Sequence, residues 1–410
     1  MPARTHQSPT KNVILVGVRI SSCYTRTERS HTPRHTKGHH MKTRMSSWLA
    51  LPFLLLTGCP SGGGGDGGFG NGGGLSSRIA YVANSGSNNV SGYMIATTGA
   101  LTTIIGSPFS GVTAPSAITM SANSAFVYVT NQGGANTVSA FRVNSTTGEL
   151  TLVAGSPFAA GTTPNAVTVS PNGNFLYVAN GGGNVSAYTI TAGTGALTPV
   201  TGSPFAAGTT PNAVTVSPNG NFLYVANGGG NVSAYTITVG TGALTPVAGS
   251  PFAAGTTPNA VTVSPNGNFL YVANGGGNVS AYTITAGTGA LTPVAGSPFA
   301  AGSTPNAVTI SPNGNFLYVT NGSSDNVSTF TIDGAGALTS PATIAAGTSP
   351  SGVSIEPNGL FLYVANGGSN NVSAYTITAG TGALTPVSGT LGNPFPAGTT
   401  PSGIATPGRP

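Results

Sequence analysis

Groups able to do chemistry are scarce in this 410-residue chain, and they are unevenly placed. An asparagine closes each of seven Tyr-Val-(Ala/Thr)-Asn tetrads: Asn84, Asn131, Asn180, Asn227, Asn274, Asn321 and Asn366. An amide can both donate and accept hydrogen bonds. Two roles suit it here: capping a tight turn, since Asn bonds its own backbone and tolerates the left-handed conformation, or forming a ring near a channel mouth that hydrogen-bonds a glycan or another polar polymer. The carboxylates Glu149, Asp325, Asp333 and Glu356 are scattered. Glu356 takes the place of the Ser before Pro in the equivalent turns, and these acids, like Arg142, read as structural or solvated groups. No catalytic residue, cofactor site or metal site emerges. Asp325, among Ser323, Ser324 and Asn326, is one carboxylate where Ca²⁺ wants several, no Cys/His spacing suits zinc, and there is no Gly-Lys-Ser/Thr phosphate loop.

Charge is also unevenly placed. Nine of the 12 Lys and Arg, and all five His, lie in residues 1 to 44. From Cys59 onward three cations (Arg78, Arg142, Arg409) face five carboxylates, a net charge of −2. The overall +6 therefore belongs to the leading segment, and nucleic acid is not an expected partner.

That segment has its own grammar. Met41-Lys42-Thr43-Arg44 is a short cationic region, Trp48 to Leu56 an apolar run too short to span a membrane, and Leu56-Thr57-Gly58-Cys59 a small-residue cleavage site ending in Cys. It resembles a bacterial lipoprotein signal, and the resemblance implies cleavage before Cys59 and lipidation of its sulfur. Residues 1 to 40 are then expected to be a mis-assigned upstream start, 41 to 58 the signal peptide and 59 to 75 the lipidated Cys with a Gly-rich tether. Cys23 falls in the discarded stretch, so no disulfide is expected. Pro60 after the Cys leans toward outer-membrane sorting, by analogy with Gram-negative lipoproteins.

The elements that must position the remaining groups follow from a repeat. The tetrads start at Tyr81, Tyr128, Tyr177, Tyr224, Tyr271, Tyr318 and Tyr363, 45 to 49 residues apart. One unit, from Pro164, parses into four short strands: Ala166 to Ser170, Phe175 to Ala179, Val185 to Thr191 and Ala196 to Val200, separated by Pro-Asn-Gly, Asn-Gly-Gly-Gly-Asn and Gly-Thr-Gly turns. Pro199 cannot donate to a ladder, so the fourth strand is an edge. Four antiparallel strands per repeat predict a β-propeller blade. The tetrad at Tyr81 lacks a preceding first strand, whereas Ser402 to Thr406 is a first strand without a blade. The expectation is an all-β, seven-bladed β-propeller over residues 76 to 410, closed by its C-terminal strand.

The Tyr-Val-(Ala/Thr)-Asn tetrad after Ser-Pro-Asn-Gly, followed by Asn-Val-Ser-Ala-Tyr, resembles the YVTN repeat family of seven-bladed propellers. That family includes archaeal surface-layer proteins and the lactonase-like 6-phosphogluconolactonases and muconate cyclases. For the lactonase-like enzymes the resemblance implies His, Glu and Arg in a cleft at the channel mouth, but no His follows residue 40. Residues 164 to 210 and 211 to 257 differ only at Ala192/Val239 and Thr201/Ala248, which suggests equal contact surfaces rather than one asymmetric site. The leading expectation is a monomeric cell-envelope lipoprotein, anchored to membrane through Cys59, that acts as a binding or scaffolding module for a glycan or an envelope protein. The alternative is a lactonase-family hydrolase.

Overall fold

Each repeat forms a blade because its two central strands are apolar on both faces while its turns carry the glycines and asparagines that reverse the chain. In the third blade the strands are Pro164–Val169, Phe175–Asn180, Asn184–Ile190 and Leu197–Pro199, from inside to outside. The Phe-Leu-Tyr-Val-Ala-Asn strand is buried at every residue. Both its faces meet neighbouring blades, since Tyr177 and Ala179 pack toward Leu223 of the fourth blade whereas Leu176 and Val178 pack toward Tyr128 of the second. Seven such antiparallel sheets are present, and the described residues contain no helix. The computed structural model describes residues 78–134, 136–388 and 393–407. The leader, Cys59 and the tether lie outside them.

The first blade is completed by the chain's end: Pro401–Ala405 pairs antiparallel with Ile79–Asn84, as the missing strand predicts. The outer edge differs from expectation. In five blades a second short segment, Phe205–Ala206 in the third, also pairs with the Asn184–Ile190 strand, so the edge is split. In the sixth blade Leu338–Ala345 runs through without the interruption.

Blades are tied at three radii. At the inner radius the residue after the strand-opening Pro is skipped by the ladder, as Asn165 is between Pro164 and Ala166. Such a bulge re-aims a side chain. Every blade uses it alike: Ser116 to the Pro164 carbonyl, Asn165 to Pro211, Asn212 to Pro258, Asn259 to Pro305, Asn306 to Pro350, Ser351 to Pro401 and Ser402 to Pro115, at 2.5 to 3.2 Å. This makes an unbroken circle of donors that crosses the point where the two chain ends meet. At mid-radius each tetrad Tyr donates to a Gly carbonyl of the following blade, Tyr224 to Gly289 at 3.0 Å and, across the closure, Tyr363 to Gly99 at 3.0 Å. Farther out, Tyr188, Tyr235 and Tyr282 donate to Ala159, Ala206 and Ala253.

The receiving glycine cannot grow. A Cβ on Gly242 would stand 2.4 Å from the Phe175 ring, and φ there is +73°. Both the left-handed backbone and the clash penalise alanine. Gly242→Ala should therefore cost about 2 to 4 kcal/mol, readable as a lowered urea midpoint; an unchanged midpoint would show that the blade contact yields freely.

Candidate functional site

The tetrad asparagines are sealed from solvent rather than displayed at a surface. All seven are 0 to 1% exposed. Asn180 donates to Asn184 Oδ1 at 2.8 Å and Ser186 Oγ at 2.9 Å, and Asn227, Asn274, Asn321 and Asn366 repeat this geometry. Asn84 and Asn131 make the corresponding bonds, Asn131 using Thr137 in place of Asn. These amides brace the turn between the second and third strands from within. The amides on the innermost strands are instead Asn165, Asn212, Asn259 and Asn306, half-buried in the circle of bulges. Their signal in the sequence was the Asn that follows Pro in four repeats. Nothing local distinguished it from the tetrad Asn.

At the opposite end of the innermost strands lies a cavity of about 530 Å³ whose lining includes Thr119, Met120, Ser170, Thr262, Thr309 and Ile310. Threonine and serine hydroxyls alternate there with aliphatic side chains, giving a small apolar chamber with a few hydrogen-bonding groups. That composition suits a compact, partly polar organic molecule.

Glu356 occupies, in the seventh blade, the position that Ser170 holds in the third. Of the two readings of this acid, structural or solvated, burial removes the second, since it is 2% exposed. Five blades have Ser here, and each Ser hydroxyl accepts the N–H of the following Phe at 2.9 Å. Glu356 departs from that pattern in favour of a buried carboxyl. Burial pushes its pKa above the ordinary 4.5, and the Asn358 amide at 2.9 Å and the Arg78 guanidinium offset this in part. On the same side of the strand Ser354 shares a hydrogen bond of 2.8 Å with Thr406 of the closing strand. The seam between seventh and first blades thus gathers a desolvated acid, a cation and two hydroxyls. A carboxyl whose pKa is raised by burial is the type of group used for proton transfer.

The other acids make local hydrogen bonds. Asp333 accepts the backbone N–H groups of Ala335 and Ala337, Asp325 accepts that of Ser349, and Glu149 accepts the Thr147 hydroxyl. Among the described residues no group of three or more His, Cys, Asp or Glu could hold a metal ion.

The sequence matches the family described as lactonase, 7-bladed beta-propeller, over residues 21–210, 199–303 and 296–397. None of the curated proteins matches it. Among solved structures, a candidate 6-phosphogluconolactonase of Bacteroides fragilis is similar at 23% identity with a TM-score of 0.69, covering 80% of this chain and 97% of its own. A candidate 6-phosphogluconolactonase of Bacteroides uniformis gives 20%, 0.70, 80% and 99%. The periplasmic gluconolactonase of Pseudomonas aeruginosa gives 21%, 0.67, 80% and 98%. At such identities these likenesses speak to fold alone. The family match, which spans the propeller, overturns the expectation of a binding or scaffolding module and favours the alternative hydrolase reading.

Proposed function

Since this chain belongs to the lactonase seven-bladed β-propeller family, we propose that it is a lactonase-like hydrolase, opening a cyclic ester by adding water to the carbonyl carbon. The observation that carries the assignment of a site is the one desolvated carboxyl among the described residues, Glu356, which takes in the seventh blade the position of Ser170 in the third but is not itself part of the chamber lining. Ionised Glu356 takes a proton from water as its oxygen attacks the carbonyl. The ring C–O bond then breaks, the proton passes from Glu356 to the leaving oxygen, and a hydroxy acid departs. The developing oxyanion needs hydrogen-bond donors, and the Arg78 guanidinium of the same seam offers them, the Thr406 hydroxyl being spent on the Ile355 carbonyl and that of Ser354 on Thr406. Because the working form of Glu356 is the carboxylate and burial raises its pKa, turnover should rise with pH across that raised value. Hydrolysis of δ-gluconolactone and of its 6-phosphate by the purified chain, followed as acid release above the spontaneous rate, tests the reading. No saturable rate with either, or with simple γ- and δ-lactones, would overturn it.

We further propose that the enzyme works in the bacterial cell envelope, held by lipid on Cys59 with residues 59 to 75 as a tether, and sorted to the outer membrane. The motif at Leu56 to Cys59 supports this. Cys59→Ser should release the protein from the membrane fraction without changing its melting temperature, because the lipid attaches through the sulfur and the glycines decouple anchor from propeller. Retention of the Ser variant in membranes until detergent is added would count against it.

A further inference from the structure

We infer that the second blade carries an anion-binding pocket, separate from the Glu356 seam, for a carboxylate-bearing polyhydroxy compound, that is, a sugar acid. The pocket has a volume of about 430 Å³, and its polar lining comprises Asn123, Ser124, Arg142, Asn144, Ser145 and Thr151. No carboxylate lines it.

Three features point to an oxyanion. First, Arg142 is held in place: its guanidinium lies 6.0 Å from the centroid of the Phe126 ring and donates to the Gly193 carbonyl at 3.1 Å. A guanidinium has five N–H donors in a rigid fork, so one bond to a carbonyl anchors it while others remain for a ligand. Second, the two amides are polarised in one sense. Asn123 Oδ1 accepts from the Ser121 hydroxyl at 2.7 Å and the Ala125 N–H at 3.1 Å. Asn144 Oδ1 accepts from the N–H groups of Thr146 and Thr147 at 2.9 and 3.2 Å. With both oxygens engaged in their own turns, each amide presents its NH₂ as a donor. Third, three hydroxyls, on Ser124, Ser145 and Thr151, complete the lining and can serve as donor or acceptor. A cation with amide donors recognises a carboxylate, and hydroxyls of either sense suit the hydroxyl groups that a sugar acid carries beside it.

The blade departs from its neighbours at these positions. Where Arg142 pairs with Phe126, the equivalent partners of Phe175, Phe222, Phe269, Phe316 and Phe361 are Thr189, Thr236, Thr283, Thr331 and Thr376. The turn Ser121-Ala122-Asn123-Ser124 likewise replaces Ser-Pro-Asn-Gly, and Ser124 adopts φ of 57° where glycine stands elsewhere. In five of the seven blades Thr is compatible with this place in the sheet, so Arg142→Thr retains a residue the fold accepts.

The test is calorimetric titration of the full chain with sodium D-gluconate, sorbitol and inorganic phosphate, in parallel with Arg142→Thr and Arg142→Lys. Gluconate should bind, and binding should weaken severalfold from low to high salt. Sorbitol, which keeps the hydroxyls but lacks the carboxylate, should bind at least about tenfold more weakly. Arg142→Thr should lose about tenfold or more of the gluconate affinity, as expected for removal of a charge-assisted pair, and Arg142→Lys should recover only part of it because the fork is lost. Circular dichroism confirms that each variant is folded. Equal gluconate binding by Arg142→Thr, equal binding of sorbitol, or binding of phosphate without gluconate would overturn the inference. None of these outcomes bears on hydrolysis at Glu356, whose rate is measured separately and should be unchanged in Arg142→Thr.

Discussion

Replacing Glu356 by Ser should make the protein more stable and abolish lactone turnover in the same variant. Five other blades place Ser at this point and use its hydroxyl to accept a Phe N–H at 2.9 Å. Glu356→Ser restores that bond to Phe361, worth about 1 kcal/mol, and removes an acid that is 2% exposed. The pH dependence has a definite sign. In the folded protein Glu356 holds its proton to higher pH than its ordinary 4.5. Its stabilising contribution is therefore complete below 4.5 and is lost as pH rises through the raised value. The melting-temperature advantage of Glu356→Ser should be small at pH 4 and grow toward pH 7, where the wild type buries an anion. Activity should move the other way. Without its general base the variant should lose about 10² to 10⁴ in kcat, and Glu356→Gln, which preserves shape and the Asn358 contact, should lose as much. A Ser variant that is both less stable and fully active would show the acid to be structural and would remove the proposed site.

Deleting Pro401 to Pro410 should have the largest effect on stability of any change considered. The first blade would lose its innermost strand, exposing the ladder groups of Ile79–Asn84 along the channel. Ile404 and Ala405, each 7% exposed, would leave the packing on either side of the seam. The circle of inner donors would break at two links, Ser351 to Pro401 and Ser402 to Pro115. A closed ring relies on this one junction to hold its ends, so the loss should approach the 5 to 15 kcal/mol that stabilises a typical domain. The truncated chain should melt more than about 10 °C lower or fail to fold, and a synthetic peptide of residues 400 to 410 should restore part of the loss by strand addition. A melting temperature within a degree or two of the intact chain would mean that the first blade holds without its inner strand.

Much of the architecture is local information written several times. Strand identity follows from runs of Val, Leu, Tyr and Ala between Pro-Asn-Gly and Gly-rich turns, blade number from the count of tetrads, and closure from a first strand missing at one end and left over at the other. None of these needs knowledge of what touches what. The split outer edge escaped because Phe205 and Ala206 are too few to show a strand period, and they pair only because the Asn184–Ile190 strand offers them a ladder.

The candidate site depended on the third dimension. Asn165 and Asn180 are chemically the same residue in equally Gly- and Pro-rich settings. One reaches the next blade because a bulge frees it from the ladder, while the other is sealed beneath its own turn because the ladder holds it in register. Bulge and register are set by pairing with another strand, so composition could not sort the two rings. Glu356 was visible in sequence as the one Glu where five blades have Ser. Whether it lay in water or in the protein was decided by the closing strand, which arrives from the far end of the chain and brings Thr406 against Ser354, with Arg78 facing the acid from the same blade. Desolvation is a property of that assembled seam, and it is desolvation, rather than the presence of a carboxylate, that raises the pKa of this acid above its ordinary value.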